Sequence, residues 1–279
     1  MMPSSNTPRG LIITADDFGL HESVNEAIEQ AHREGVLTAA SLMVGAPAAL
    51  DAVNRARRMP GLRVGLHVVL ADGFAVLPHR EIPDLVDTVG RFGDHMVRDG
   101  FRFFFLPYVR RQLRAEITAQ FTAFQAFGLS LDHVNAHKHF HLHPTVLTLM
   151  ISIGNRFRIS AVRLPAERNS PAFLRPLLTI MRRRLDHAGI GYNNQVVGLK
   201  RSGAMDETAL LAALNGLSSG VTEIYLHPAT RCGISESMTS YRHTDELAAL
   251  LSPKVRAAID SLGMKRGGFS DFWPLPTTA

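Results

Sequence analysis

The chain has 279 residues, 46% of them hydrophobic, enough for one large core and within the span of a single α/β barrel. The formal net charge is +5 and 26 of the 30 basic residues are arginine, but no zinc-finger spacing and no aromatic-interleaved basic platform occurs, which argues against a nucleic-acid partner. No run of about 18 apolar residues is present, Thr38–Val53 being broken by Gly45, Pro47 and Asp51, and a lone cysteine, Cys232, excludes an intramolecular disulfide.

Residues 1–9 are polar, carry two prolines and read as a loose, flexible tail. With no signal-peptide pattern over Met1–Gly10, a reducing cytoplasm is the expected compartment, and Cys232 reads as an inert, small core residue. Leu11–Ala15 is a short apolar run ending at Asp16-Asp17-Phe18-Gly19, the pattern of a buried strand entering a turn. Ser23 can cap a helix whose apolar positions are Val24, Ala27, Ile28 and Ala31. Leu37–Val44 predicts a strand, Pro47–Arg58 a helix, and Arg63–Leu70 a third strand carrying Gly65-Leu66-His67.

Periodicity then lapses, and a long loop is expected over about 71–108, of the length usually kept for function. Its end, Phe101–Tyr108, is strongly aromatic. Arg110–Phe127 reads as a helix, Leu129–Asn135 as a strand running into a histidine cluster, Pro144–Ile153 as a helix and Ile159–Leu164 as a strand ending near Arg163. Pro171–Ala188 is helical and basic, Asn194–Leu199 a short strand, Met205–Leu217 a helix, and Val221–Leu226 a strand ending in His227-Pro228. Two more helices follow, near Thr244–Leu251 and Pro253–Leu262. No repeat occurs at solenoid periods.

Strands alternating with helices imply parallel strands with crossover helices. Asp16, Asp17, His67, His137, Arg163 and His227 all fall at or near the C-terminal end of an expected strand, and in a barrel those ends converge on one face. An open doubly wound sheet would spread them further apart, so a single-domain, irregular barrel is expected, with its active site at the C-terminal strand ends. The absence of GxGxxG and of a P-loop argues against nucleotide binding.

Five of the 13 histidines lie within Asp132–Pro144, and His137, His139, His141 and His143 recur with period 2. On an extended backbone that period puts all four on one face. An apolar core has no use for such a row, whereas a metal ion can use two or three of its rings. Asp16 and Asp17 are either helix-capping residues or part of the same site. One carboxylate with two imidazoles suits Zn²⁺, and also Fe²⁺, Mn²⁺, Co²⁺ or Ni²⁺. The second carboxylate is then free to act as a base on water.

Thr14-Ala15-Asp16-Asp17-Phe18-Gly19, Gly65-Leu66-His67, His137-Lys138-His139-Phe140-His141 and Ile224-Tyr225-Leu226-His227-Pro228 resemble, in order and across nearly the whole chain, the motif set of the YdjC-type carbohydrate deacetylases. The form Asn135-Ala136-His137-Lys138-His139-Phe140-His141 is similar to the hopanoid-biosynthesis-associated branch, HpnK. The chitooligosaccharide branch carries an Asp-Ser pair where this chain has Asn135-Ala136. The resemblance implies a metal-dependent N-deacetylase with a deformed (β/α) barrel, with Asp17, His67 and His137 as metal ligands and Asp16 as catalytic base. The branch implies an N-acetylglucosaminyl hopanoid lipid as substrate.

In that chemistry a protonated group must supply the leaving amine, and His227 is the candidate catalytic acid because it also lies at a strand end. His139 and His141 are candidates for substrate binding or for orienting the ligands. Arg163 could bind a substrate hydroxyl, orient Asp16 or form a structural ion pair. One divalent ion is expected, zinc preferred, with magnesium, manganese, cobalt or nickel as alternatives. Competing readings are a chitooligosaccharide deacetylase, another metal-dependent amidohydrolase, and a non-catalytic metal- or sugar-binding protein. Amidohydrolases of that kind carry His-x-His on the first strand, where this chain has Asp16-Asp17.

Two stretches pair apolar residues with an arginine border, as interfacial segments do. One is Phe101–Arg111; the other carries Phe173, Leu174, Leu177, Leu178, Ile180 and Met181 ahead of Arg182-Arg183-Arg184. At least one is expected to be an exposed patch beside the catalytic mouth, giving peripheral contact with the inner membrane face. A homo-oligomer is compatible with the sequence.

Overall fold

The computed structural model describes residues 9–168 and 170–275. Apart from Arg9, the tail expected over 1–9 lies outside the described residues. The chain runs β1 (Gly10–Phe18), α1 (Glu22–Arg33), β2 (Ala39–Leu42), α2 (Ala49–Arg57), β3 (Arg63–Val68), α3 (Met96–Phe105), α4 (Pro107–Ala126), β4 (Leu131–Ala136) and α5 (Pro144–Gly154). It continues through α6 (Arg175–Ala188), β5 (Gln195–Val197), α7 (Glu207–Asn215), β6 (Val221–Leu226), α8 (His243–Leu251), α9 (Pro253–Ser261) and β7 (Lys265–Arg266).

The strands pair in parallel in the order β4-β3-β2-β1-β6-β5, with β7 also against β1. Between β4 and β5 the ring is carried by single bridges, Val134 with Val162 and Ala161 with Gly191. The sheet therefore curls into a deformed barrel. The strand expected over Ile159–Leu164 shrinks to those bridges.

Alternation along the strands sorts the residues into two faces. Ile13, Ala15, Ala40, Leu42, Val64, Leu66, Val134, Ala136, Ile224 and Leu226 belong to the large core beneath the helices. The barrel interior is different. Its lower end holds a small apolar cluster of Ile12, Ala39, Ala161, Val221 and Phe269. Above it, Thr14, Asp16, Ser41, His67, His133, Asn135, Arg163 and Glu223 are buried and polar. Burying so many polar groups is tolerable only where they satisfy one another.

The helices follow their local signals. Asp206 caps α7 by accepting from the Ala209 N–H, and Ser252 caps α9 ahead of Pro253. Helix α1 is capped by His21, whose Nδ1 accepts from the Ser23 N–H; Ser23 lies inside the helix and is not its cap. The loop expected over 71–108 is shorter, because α3 occupies its end. Phe103 is buried there and anchors the helix, a single apolar contact that does not stand out among so many aromatics. Cys232 is exposed, correcting its expected place in the core. Among the described residues no helix is long and apolar enough to cross a membrane.

Candidate active site

Adjacent residues on a regular strand point to opposite faces, so Asp16 and Asp17 should part company. They do not, because Asp17 has φ of 64° and the β1–β2 register shifts between Ala15 and Phe18. A non-glycine residue in the left-handed region is strained, and such strain gathers at functional sites. The kink lets both carboxylates reach the barrel mouth.

His67 on β3 and Asn135 on β4 are register partners, and His67 Nδ1 lies 2.6 Å from Asn135 Oδ1. A carbonyl oxygen can only accept, so Nδ1 carries the proton and the Nε2 lone pair faces the mouth. There Nε2 is 3.4 Å from Asp17 Oδ1 and 3.3 Å from His137 Nδ1, and His137 Nδ1 is 3.1 Å from Asp17 Oδ1. One ligand atom from each of Asp17, His67 and His137 lies within 4.8 Å of the others. Both Asp17 oxygens are buried without a hydrogen-bond partner. Three convergent donors and an orphaned buried carboxylate fit a divalent cation, and the carboxylate–diimidazole set suits Zn²⁺ among others.

The four period-2 histidines do not share a face. Strand β4 stops at Ala136, and residues 137–142 form a tight 3₁₀ turn in which Lys138 and His139 take φ of 51° and 55°. Period 2 assumes extended backbone, which this turn abolishes. His137 enters the metal-type cluster. His139 Nε2 lies 3.1 Å from the Tyr225 hydroxyl, and His141 Nε2 lies 3.0 Å from the Arg163 carbonyl. His143 packs edge-on against Phe103, Phe104 and Phe140, away from the cluster. Burial pushes His139 and His141 below the ordinary imidazole range, with the Arg163 charge adding to it, so both rings are neutral.

Arg163 is fully buried. It donates to Asp16 at 2.5 and 3.0 Å and to Glu223 at 2.9 and 2.7 Å, and Glu223 also accepts from Thr14 Oγ1 at 2.8 Å. Of the roles open to it in the sequence, what the structure shows is the buried ion pair with Asp16. Burial alone would raise the Asp16 carboxyl, but the Arg163 guanidinium bonded to it holds it well below the usual carboxylate range.

His227 follows β6. Its Nε2 lies 4.0 Å from Asp17 Oδ2, its Nδ1 is buried without a partner, and its ring packs against Tyr225 and Tyr241. Burial lowers its basicity, against the pull of Asp17 and Asp16. Its backbone is clamped: Glu246 accepts from the His227 N–H at 2.5 Å, and His243 Nδ1 lies 2.6 Å from the His227 carbonyl. Asp16, His67, His137, Lys138, His139, Tyr225, His227 and Tyr241 help line a cavity of about 130 Å³.

Asn135, Glu223, Tyr225 and Glu246 were not singled out as site residues in the sequence. A charged residue inside the apolar strand Val221–Leu226 was the available signal for Glu223. Glu246 sits on a helix face that only tertiary packing brings under His227.

A model of the family described as YdjC-like protein matches residues 10–261. The carbohydrate deacetylase of Geobacillus stearothermophilus is 30% identical over 274 residues, covering 96% of this chain and 100% of that protein. That of Brevibacillus brevis is 39% identical over 158 residues, 56% of this chain, and the match spans only 59% of the relative's length. Among solved structures, a candidate cellobiose-phosphate cleavage protein of Enterococcus faecalis V583 superposes with a TM-score of 0.78 at 23% identity, over 96% of this chain and 100% of that one. The Xyl-CE4 domain of a xylanase from the hindgut metagenome of Trinervitermes trinervoides gives 0.50 at 10% identity, over 95% and 90%. These two likenesses concern the fold.

Proposed function

The chain belongs to the YdjC-like protein family, and from that premise we propose that it is a metal-dependent carbohydrate N-deacetylase. The observation that carries the reading is the convergence of Asp17, His67 and His137 beside a second, separately held carboxylate, Asp16. A divalent cation held by the three ligands would serve as a Lewis acid, acidifying water and polarising the acetamide carbonyl.

The protein's own residues supply the proton transfers. Asp16, kept ionised and aimed by Arg163, takes the proton from the attacking water. His227, whose Nε2 lies 4.0 Å from Asp17 Oδ2, is the group that in its protonated form gives a proton to the leaving amine. Asn135 and the clamp of Glu246 on His227 hold the two imidazoles in place. His139 and Tyr225, on the cavity wall, are the groups placed to meet the sugar.

For the acceptor, the reading is an N-acetylglucosaminyl hopanoid lipid. Asn135-Ala136 departs from the Asp-Ser of the chitooligosaccharide branch, and α3 offers an apolar surface. Val97, Phe101 and Phe105 are 77%, 63% and 62% exposed, beside Arg98, Arg102, Arg110 and Arg111. Helix α3 begins two residues after Asp94, which pairs at 2.6 Å with Lys138 on the cavity wall. Acetate release from an N-acetylglucosaminyl lipid and from N-acetylated chitobiose, each with and without chelator, tests both levels. Release from neither sinks the activity; chelator-sensitive release from chitobiose alone sinks the lipid acceptor.

A further inference from the structure

The polar interior of the barrel contains a continuous chain of hydrogen bonds that begins at the far end from the mouth. Asp132, at the start of β4, is locked by the C-terminal segment: its Oδ2 accepts from the Phe269 N–H at 3.0 Å, and its Oδ1 from the Ser270 N–H and hydroxyl at 2.8 and 2.6 Å. His133 Nδ1 lies 2.8 Å from Asp132 Oδ2. His133 Nε2 lies 3.1 Å from Ser41 Oγ, and Ser41 Oγ accepts from Asn135 Nδ2 at 2.9 Å. Asn135 Oδ1 then meets His67 Nδ1 at 2.6 Å. Ser41, His133 and Asn135 are fully buried and Asp132 nearly so.

The strand order explains how these residues meet. His133 and Asn135 are two apart on β4 and face the interior together. To reach Ser41 on β2, the His133 ring must cross β3, and it does so over Gly65. A Cβ on Gly65 would lie 2.4–2.6 Å from the ring, so only glycine leaves the path open. Phe269 stacks on the other side of the ring at 4.7 Å between centroids.

With His133 singly protonated, each link has one direction. A carboxylate only accepts, so His133 donates its Nδ1–H to Asp132, and with the ring singly protonated Nε2 is left as an acceptor. Nε2 then takes the single Ser41 hydroxyl proton, and Ser41 can only accept from Asn135. The amide must present Nδ2 to Ser41 and Oδ1 to His67. Asp16 Oδ1, at 3.3 Å from Nδ2, favours the same orientation from the mouth. Burial would raise the Asp132 carboxyl, but the bonds from His133 and Ser270 hold it below its usual value, consistent with an anionic end to the chain.

We infer that Asp132, His133 and Ser41 are positioning residues: acting through Asn135, they fix His67 in the tautomer whose Nε2 lone pair faces Asp17 and His137. This rests on reading Asp17, His67 and His137 as the metal-holding set. It makes the C-terminal segment at Phe269-Ser270, on the opposite end of the barrel, part of the support for that set.

The test uses Ser41→Ala and His133→Phe, the second keeping a flat ring over Gly65. Two-bond ¹H–¹⁵N correlations on the metal-free protein report which nitrogen of His67 is protonated, and competition with a chelator reports Zn²⁺ affinity. In the wild type the proton should be on Nδ1. In either variant the correlations should show mixed tautomers, and Zn²⁺ affinity should fall about tenfold, the low end of what loss of a ligand-orienting partner costs. If a folded variant melts at a lower temperature yet keeps His67 on Nδ1 and binds Zn²⁺ as the wild type does, the residues are only structural and the inference is overturned. If the wild type binds no Zn²⁺ but the variants still shift the tautomer, the chain stands and the metal reading falls.

Discussion

Arg163 holds Asp16 by two hydrogen bonds, 2.5 and 3.0 Å long, while the arginine itself is fully buried and bonded on its other edge to Glu223. One cation thus serves two buried anions at the centre of the barrel. Removing it would strand both carboxylates. Arg163→Met should therefore lower stability in urea by about 3–5 kcal/mol, the cost typical of breaking a buried pair from one side. A loss below about 1 kcal/mol, the scale of an exposed pair, would mean the carboxylates are already relieved by water.

The same pair sets an acid limit. The folded Asp16 carboxyl lies below its unfolded value, so its contribution to stability is present above the unfolded value of about 3.9 and is lost as pH falls through the folded one. Denaturant titrations from pH 6 downward should show this loss in the wild type. Asp16→Asn should lack that part of the slope, and an unchanged slope would remove Asp16 from the account.

Roles within the mouth separate by metal content. Asp16→Asn should leave bound metal near the wild-type level and lower turnover at least about 100-fold, as loss of a positioned base does. Asp17→Asn, His67→Ala and His137→Ala should each lower metal content itself. His227→Gln should behave like Asp16→Asn. Equal metal loss in Asp16→Asn and Asp17→Asn would end the division between base and ligand.

Glu246 titrates in the opposite sense. Burial pushes its carboxyl up to about 7, against the hydrogen bonds from the Met205 and His227 N–H groups. A folded value above the unfolded one means that stability is greatest below the unfolded value and is lost as pH rises through the folded one, here between about 4.5 and 7. Against Glu246→Gln, the wild type should lose about 3 kcal/mol of stability across that window. Unfolding free energies at pH 4.5, 6 and 8 decide it; parallel curves would show that Glu246 is ionised throughout.

The arginine-bordered apolar surface makes a prediction about lipid. Both stretches keep exposed apolar groups: Val97, Phe101, Phe104, Phe105 and Tyr108 on and beside α3, and Phe173 and Ile180 on and beside α6, where Leu178 and Met181 are buried. Vesicles containing anionic lipid should co-sediment with the wild type. Phe101→Ser/Phe105→Ser should abolish this, and Arg182→Glu/Arg183→Glu/Arg184→Glu should weaken it. Failure of the wild type to bind such vesicles at low salt would dismiss membrane contact without touching the deacetylase reading.

Much of the site was legible in the sequence because its parts lie at strand ends, and strand ends are marked by a change from apolar runs to Asp, His or Gly. Asp16, Asp17, His67, His137 and His227 could all be named on that basis, and parallel topology brings such ends together whatever the details of packing. The histidine row could not be read correctly. Its period presumes extended backbone, and whether the chain stays extended past Ala136 depends on Lys138 and His139 adopting left-handed conformations stabilised by the surrounding fold.

What the sequence by itself determined was the alternation of elements, the parallel barrel and the identity of the groups at its mouth, because these follow from local periodicity and residue chemistry. Only the tertiary structure decided which carboxylate meets which cation. Asp16 and Arg163 are 147 residues apart, Arg163 and Glu223 60 apart, and His133 reaches Ser41 across a glycine on the strand between them. Those pairings depend on strand order and register, which no short window of residues contains, and on burial, which obliges each polar group in the barrel to find a partner from a distant part of the chain.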